Sequence, residues 1–412
     1  MKSVINDQVV LSQIPEGPIA AYLCSFSEFI SAQGYTLHSI RRQVRLAVSF
    51  SQWLKQKNVE LHCITDDHPK RYLRYRAQQL KPCLGDAAAL RHLIDFLHSE
   101  GVILTEKVSE PRLTPAEICT QAYEQYLREA RALAEATVLN YVPFIRSFLK
   151  DRFGDGPISL SCLCTHDIVS FVQRQATRLH MKRAKLMTTA MRSFLKYARY
   201  RGEVVLDLAA AVPTVANWSM SSIPRAIPAE QVHQLLASID QHTGMGRRDY
   251  AILLLLARLG LRSSEVAFLE LDDINWDAGT LSVQGKGGRR NEFPLSDEVG
   301  KAIAAYLRDG RSLTNSRRVF LRAKAPTCGF QGASGVGSIV RHSLKRAGII
   351  APTYGAHQFR HGLATEMLRQ GASLGEIGDL LGHRHPQTTK IYIQVDLEAL
   401  RTLALPWPGG VR

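Results

Sequence analysis

The chain has 412 residues, with 52 lysines and arginines against 37 aspartates and glutamates, a formal net charge of +15. Its 45% hydrophobic and 22% charged residues are ordinary globular usage, which excludes wholesale disorder, and the length points to two or three domains. The longest apolar run, Tyr250 to Ala257, falls far short of the ~20 residues that a bilayer span requires.

The amino terminus carries Asp7 and Glu16 where an export signal would be apolar, so no export and no membrane are expected. Seven cysteines stand at 24, 63, 83, 119, 162, 164 and 328. They form no CxxC pair, and Cys162-x-Cys164 is isolated, so reduced and mostly buried thiols are expected. A sequence pI near 9.6 directs attention to a polyanionic partner.

The first two hundred residues read as two copies of one unit with a period of about 100. SIRRQVRLAVSFSQWL from Ser39 parallels TVLNYVPFIRSFL from Thr137, and LRHLIDFLHSEG ending at Gly101 parallels MRSFLKYARYRG ending at Gly202. Each copy predicts a bundle of about four short amphipathic helices. Amphipathic helices resemble one another by composition, but the matched order of helix, loop and terminal glycine favours duplication. KVSEPRLTP joins the copies, giving an accessory bundle over 1–110 and a second bundle over 111–212.

Within the second bundle, Ile168 to Gly202 carries nine basic residues and no acid: Arg174, Arg178, Lys182, Arg183, Lys185, Arg192, Lys196, Arg199 and Arg201. Ile168, Phe171, Val172, Phe194, Leu195 and Ala198 recur at helical spacing, so these charges ride on folded helices. A solvated face more often interleaves acids; a one-signed face is what phosphate neutralisation requires. Arg174, Arg178, Lys182, Arg183 and Lys185 are the candidate DNA-binding residues.

Three prolines in VPTVANWSMSSIPRAIP predict an extended linker over 213–227. A final domain, 228–412, follows. AEQVHQLLASI is an amphipathic helix, and DYAILLLLARLG an almost wholly apolar one closed by Gly260. TLSVQ (280–284) and RNEFPL (290–295) predict a hairpin, and RVFLR around Phe320 a third strand. Ser373-x-x-Glu376 is a capping box before another helix. The fold class is therefore mainly α with a small β-sheet in the last domain.

Four features of that domain bear on chemistry. Arg262 follows the most apolar helix in the chain, where a guanidinium needs an anion or a carboxylate such as Glu265 or Asp272. Lys286 lies in the turn QGKGGRR, which lacks the GxxxxGK[ST] pattern of a nucleotide loop; alone it reads as a solvated lysine. In HQFRH, His357 and Arg360 share a helical face, while Gln358 stands where a zinc protease has its glutamate, so no metal is expected. His383 precedes Tyr392 by nine residues in LLGHRHPQTTKIYI; a lone tyrosine usually packs.

Together these residues suit attack on a phosphodiester. Arginines clamp non-bridging oxygens, a phenol can become a covalent nucleophile, lysine can protonate a leaving alkoxide, and histidines relay protons. No carboxylate cluster stands ready for a divalent cation.

Arg262 in GLRSSE, Lys286 in GKGGR, His357-x-x-Arg360, His383 in LGH and Tyr392 jointly resemble the tyrosine recombinase, or phage integrase, family over about 225–400. The basic bundle resembles that family's core DNA-binding domain. HGLAT stands where many relatives have HTFAT, touching no catalytic position. The resemblance implies a site-specific, metal-independent recombinase without cofactor. Tyr392 would form a 3′-phosphotyrosyl link, Arg262 and Arg360 would stabilise the transition state, and Lys286 would act as general acid. His357 would assist proton transfer and His383 would hydrogen-bond the phosphate.

It further implies double-stranded DNA with specific recombination sites, a tetramer in the synapse, accessory proteins or partner recombinases, and a cytoplasmic, nucleoid-associated enzyme belonging to a mobile element. Rival readings are a catalytically silent DNA-binding relative, a topoisomerase-like strand transferase and a metal-dependent nuclease.

Overall fold

The computed structural model describes residues 3–6, 9–11, 15–103, 113–215, 226–285, 288, 290–351, 353–383 and 389. The chain divides into two compact units, Met1–Leu104 with Ser222–Arg412, and Thr105–Ser221.

The Thr105–Ser221 unit is a four-helix bundle: α5 (Pro115–Glu129), α6 (Glu135–Phe153), α7 (Thr165–Ala176) and α8 (Met181–Tyr200). Thr114 starts α5 by accepting the Glu117 amide while the Glu117 carboxylate accepts the Thr114 amide, so two orphan donors are satisfied at once. Phe148, Phe171, Met191 and Phe194 are fully buried at its centre.

The other unit begins with an antiparallel pair, β1 (Ser3–Asn6) and β2 (Val9–Leu11), which the sequence pattern did not announce. The first bundle follows: α1 (Leu23–Ala32), α2 (Leu37–Gln56), α3 (His68–Ala77) and α4 (Asp86–Ser99). Its four helices follow the same order as those of the second bundle. Each copy has a 3-10 turn before its third helix, Leu61–Cys63 in one and Leu160–Cys162 in the other. Each last helix ends at a glycine in the left-handed region, Gly101 at φ 68° and Gly202 at φ 72°.

In the C-terminal part the apolar helix α10 (Gly244–Arg258) is the central element. Ile252 through Leu256 are fully buried, and each such side chain contributes about 1.5–3 kcal/mol relative to exposure. Around it pack α9 (Ala229–Ala237), α11 (Ser263–Phe268), α12 (Asp297–Asp309), α13 (Ala333–Arg346) and α14 (His357–Arg369), with α15 (Leu374–Leu380) against α14. Gly260 follows at φ 61° and closes α10, matching the sequence expectation.

The sheet has order β3-β4-β5, all antiparallel: β3 (Ile274–Asn275), β4 (Thr280–Gln284) and β5 (Arg290–Pro294). The expected hairpin is there, but the third strand is not RVFLR. That segment makes only two isolated bridges, Glu270 with Arg318 and Leu321 with Gly329, because its Val319 and Phe320 side chains are both buried rather than alternating. The thiols also differ from expectation. All seven cysteines are free, yet five are exposed, since Cys63, Cys83, Cys162 and Cys164 lie on turns and Cys24 on the outer side of α1.

Each helical bundle and the C-terminal domain has its own apolar core. The first bundle meets the C-terminal domain beside Gln33 and Thr327. There the Gln33 carbonyl accepts hydrogen bonds from the Thr327 amide (3.0 Å) and hydroxyl (3.2 Å).

Candidate active site

The site is built where α10 ends. Gly260 turns the chain so that Arg262, extended at φ −76° and ψ 151°, becomes the cap of α11. The buried Glu265 carboxylate, one turn into that helix, accepts from the Arg262 amide at 2.7 Å and from its Nη1 at 2.6 Å. Of the two partners the sequence offered, Glu265 is the one used; Asp272 pairs with Arg317. Glu265 thus caps α11 and fixes the guanidinium at its start.

Arg360, on the first turns of α14, is 5% exposed. Its Nη1 donates to the Gly260 carbonyl at 2.7 Å, and its Nη2 donates to the Leu381 carbonyl. One side chain therefore ties the turn leading to Arg262 to the turn leading to His383. Two donors reach two carbonyls of distant segments, and the planar fork of arginine is what lets one residue reach both.

His383 leaves α15 with its amide bonded to the Gly378 carbonyl at 2.8 Å and its Nδ1 2.9 Å from the Thr389 hydroxyl. Burial, then the charges of Arg360 and Arg262, then His361, pull its pKa down to about 4. His361 is lowered too, by burial and by His357 and Arg360. Both shifts have the same two causes, burial first and then a pocket already rich in positive charge, and each disfavours another cation. The His357 and His361 rings lie 6.5 Å apart. Among the described residues no group of three His, Cys, Asp or Glu could hold a metal.

The β4–β5 hairpin leans on the same place. Gly382 adopts φ 57°, and a Cβ there would come within 2.5 Å of the Asn291 amide nitrogen on β5. A polar cleft of about 490 Å³ separates the hairpin from α11, lined by Glu265, Glu270, Asp273, Gln284, Arg290 and Arg318. Lys286, in the hairpin turn, and Tyr392 both lie outside the described residues.

The structure therefore gathers Arg262, Arg360, His361 and His383, with His357 beside His361. Sequence reasoning missed the Thr389 hydroxyl on His383, the carbonyls of Gly260 and Leu381 on Arg360, and Asn291 against Gly382. Only the glycines of LGLR and LGH hinted at close approach; the rest are contacts between distant segments.

The five candidate DNA-binding residues cluster from the end of α7 to the start of α8. Arg178, Lys182 and Arg183 are exposed. Arg183 lies 4.9 Å over the Phe144 ring and reaches Asn140. Arg174 pairs with Asp151 at 2.5 Å, and farther along Arg199 pairs with Asp207 and Arg201 with Glu203. The acid-free run is thus partly neutralised by neighbouring elements, most of all in the second half of α8.

Comparison with known proteins decides the class. The model of the phage integrase family matches residues 225–398, and that of the phage integrase N-terminal SAM-like domain matches 120–202. A Sinorhizobium fredii protein called integrase/recombinase y4rA is 59% identical over 409 residues, 99% of each chain.

The chain belongs to the phage integrase family of tyrosine recombinases.

The tyrosine recombinase XerD of Mycobacterium tuberculosis is 30% identical over 309 residues, 70% of this recombinase and 96% of that protein. The recombinase's fold is shared with XerH site-specific recombinase bound to a palindromic difH substrate, at a TM-score of 0.55 and 18% identity over 69% of this chain and 83% of that one. It is shared also with a lambda integrase dimer bound to a core site, at 0.53 and 16% over 68% and 95%. This recombinase is a DNA-binding, strand-transferring enzyme.

Proposed function

We propose that the recombinase cuts and rejoins double-stranded DNA at specific sites through a 3′-phosphotyrosyl link to Tyr392. The Tyr392 oxygen attacks the phosphorus as the bond to the 5′-oxygen breaks; Lys286 delivers a proton to that oxygen, and His357 helps remove the phenol's proton. The 5′-hydroxyl of a partner strand then reverses the step, conserving the bond energy. No metal or cofactor takes part, because Arg262 and Arg360 supply the positive charge.

The observation that carries this reading is the double hold of Arg360 on the Gly260 and Leu381 carbonyls. It draws two guanidiniums and His383 together, the kind of cationic cluster that clamps phosphate oxygens. A pKa near 4 makes His383 neutral at physiological pH. Neutral, and with its Nδ1 2.9 Å from the Thr389 hydroxyl, the imidazole is oriented to hydrogen-bond the phosphate. Arg174, Arg178, Lys182, Arg183 and Lys185 bind the DNA backbone; exchange takes place in a tetramer at the nucleoid, with helper proteins or partner recombinases, on behalf of a mobile element.

Tyr392→Phe tests the chemistry. The variant keeps the ring and loses only the nucleophilic oxygen, so DNA binding is expected to persist while the covalent adduct on a nicked site disappears from a denaturing gel. The unaltered protein forms that adduct in excess EDTA. An adduct in the Phe variant would move the nucleophile elsewhere, and cleavage abolished by EDTA would point to a metal nuclease.

A further inference from the structure

The first bundle has a cationic corner for which neither the catalytic site nor the second bundle accounts. On α2, Arg42 donates to the Leu84 carbonyl at 2.8 Å and pairs with Asp86 at 3.1 Å, at the start of α4. Arg45, one turn farther along the same face of α2, is exposed. Its carbonyl accepts from Ser49, and the Ser49 hydroxyl in turn bonds the phenol of Tyr72 on α3, which Arg76 also touches. Arg76 and Lys81 line one small cleft together with Asp86. Arg42, Arg76 and Lys81 therefore gather about a single carboxylate, with Arg45 one turn along α2 from Arg42, and among the described residues Arg45, Arg76 and Lys81 have no ion-pair partner there. A stability device would balance these charges; this corner is left with a surplus.

The internal repeat says what such a corner is for. Lys81 stands 20 residues before Gly101, as Lys182 stands 20 before Gly202. Arg42 answers to Asn140 in the Ser39–Thr137 register, and Asn140 is the residue that Arg183 contacts. Arg76 falls within one position of the counterpart of Arg174. The same end of the bundle, where the third helix leads into the fourth, is cationic in both copies.

We infer that this corner of the first bundle, centred on Arg45, Arg76 and Lys81, is a second DNA-backbone contact, by which the recombinase grips duplex beyond the stretch held by its second bundle and catalytic domain. The inference rests on the DNA reading above. The ligand is the phosphate backbone rather than base edges. Guanidinium and ammonium groups at the protein surface neutralise phosphates, and the counterions such contacts release make binding salt-dependent.

The test compares the full-length protein with Arg45→Gln/Lys81→Gln, which spares the structural Arg42–Asp86 pair. A Lys55→Gln/Lys57→Gln variant, altered at the far end of α2, is the control. Binding is measured against arbitrary-sequence duplexes of about 20 and about 60 base pairs over a salt series. The unaltered protein and the control are expected to bind the longer duplex with a steeper dependence of log K on log salt than the shorter one. The corner variant should lose about two units of that extra slope and at least tenfold affinity on the long duplex, while matching the others on the short one.

Equal slopes and affinities for all three proteins on the long duplex would overturn the inference and leave the DNA reading intact. Absence of binding by the unaltered protein on both duplexes would overturn both. Circular dichroism on each variant separates a lost contact from a lost fold, and unfolding of the corner variant would make these side chains structural and refute the assignment.

Discussion

Burial and the charges of Arg360 and Arg262 hold the His383 imidazole near pKa 4, against about 6.5 in an unfolded chain. Between those values the unfolded chain takes up a proton that the folded one refuses. Folding stability therefore rises with pH from about 4 to about 6.5 and gains nothing more from this group above that range. In the DNA-free protein, His383→Gln is expected to flatten the melting temperature against pH in that window. Parallel curves for the two proteins would mean that His383 titrates normally. The residues of this pocket were readable from sequence only in part. Arg262, His357, Arg360 and His383 stand in short motifs, and a motif survives as a string. The choice of Glu265 over Asp272 is a matter of helix geometry: three residues on, in the first turn of α11, the carboxylate can reach both the amide and the guanidinium of Arg262. Thr389 and the carbonyls of Gly260 and Leu381 become partners only when the chain closes on itself.

Among the elements, the hairpin and the turn before His383 form a matched pair. Gly382→Ala forces a left-handed residue to carry a Cβ and drives it into Asn291, a strain of roughly 1–3 kcal/mol. The turn is expected to shift away from β5, lowering the melting temperature and reducing strand cleavage while leaving DNA binding near normal; unchanged cleavage would show that β5 does not position this turn. Local patterns predicted elements well where the physics is local. Ser373 and Glu376 do exchange their capping hydrogen bonds, and the alternation in TLSVQ did give a strand. The third strand escaped because Ile274 and Asn275 are a strand by virtue of their pairing with β4, not by any period of their own. The thiols were expected to be mostly buried, yet five are exposed, four because a small residue on a turn follows the turn to the surface and Cys24 because it faces outward on α1.

At the scale of the molecule, the three large apolar cores share no residue. The first bundle touches the C-terminal domain through the Gln33 carbonyl and Thr327, a junction of hydrogen bonds that water can replace. A protein beginning near Pro111 is therefore expected to fold cooperatively and to retain cleavage on a simple core site, with weaker binding to long DNA. Insolubility, or loss of helical dichroism beyond the share of the missing helices, would show that the first bundle is integral to the fold. The four helices of each bundle and their closing glycines were readable in the sequence as paired segments; that both bundles keep a 3-10 turn before the third helix was not, since such a turn follows from packing rather than composition.

The grip of Arg360 on the Leu381 carbonyl also fixes the root of a tether. Eleven residues lead from Leu381 to Tyr392, a path of at most about 40 Å drawn out and about 17 Å if coiled into helix. The arginine proposed to steady charge on the phosphate is thus the peg to which the proposed nucleophile is leashed. For attack within one chain, their meeting would be governed by effective concentration, set by leash length and stiffness. Lengthening the leash dilutes the tyrosine in its own neighbourhood, whereas loosening the peg frees both partners at once.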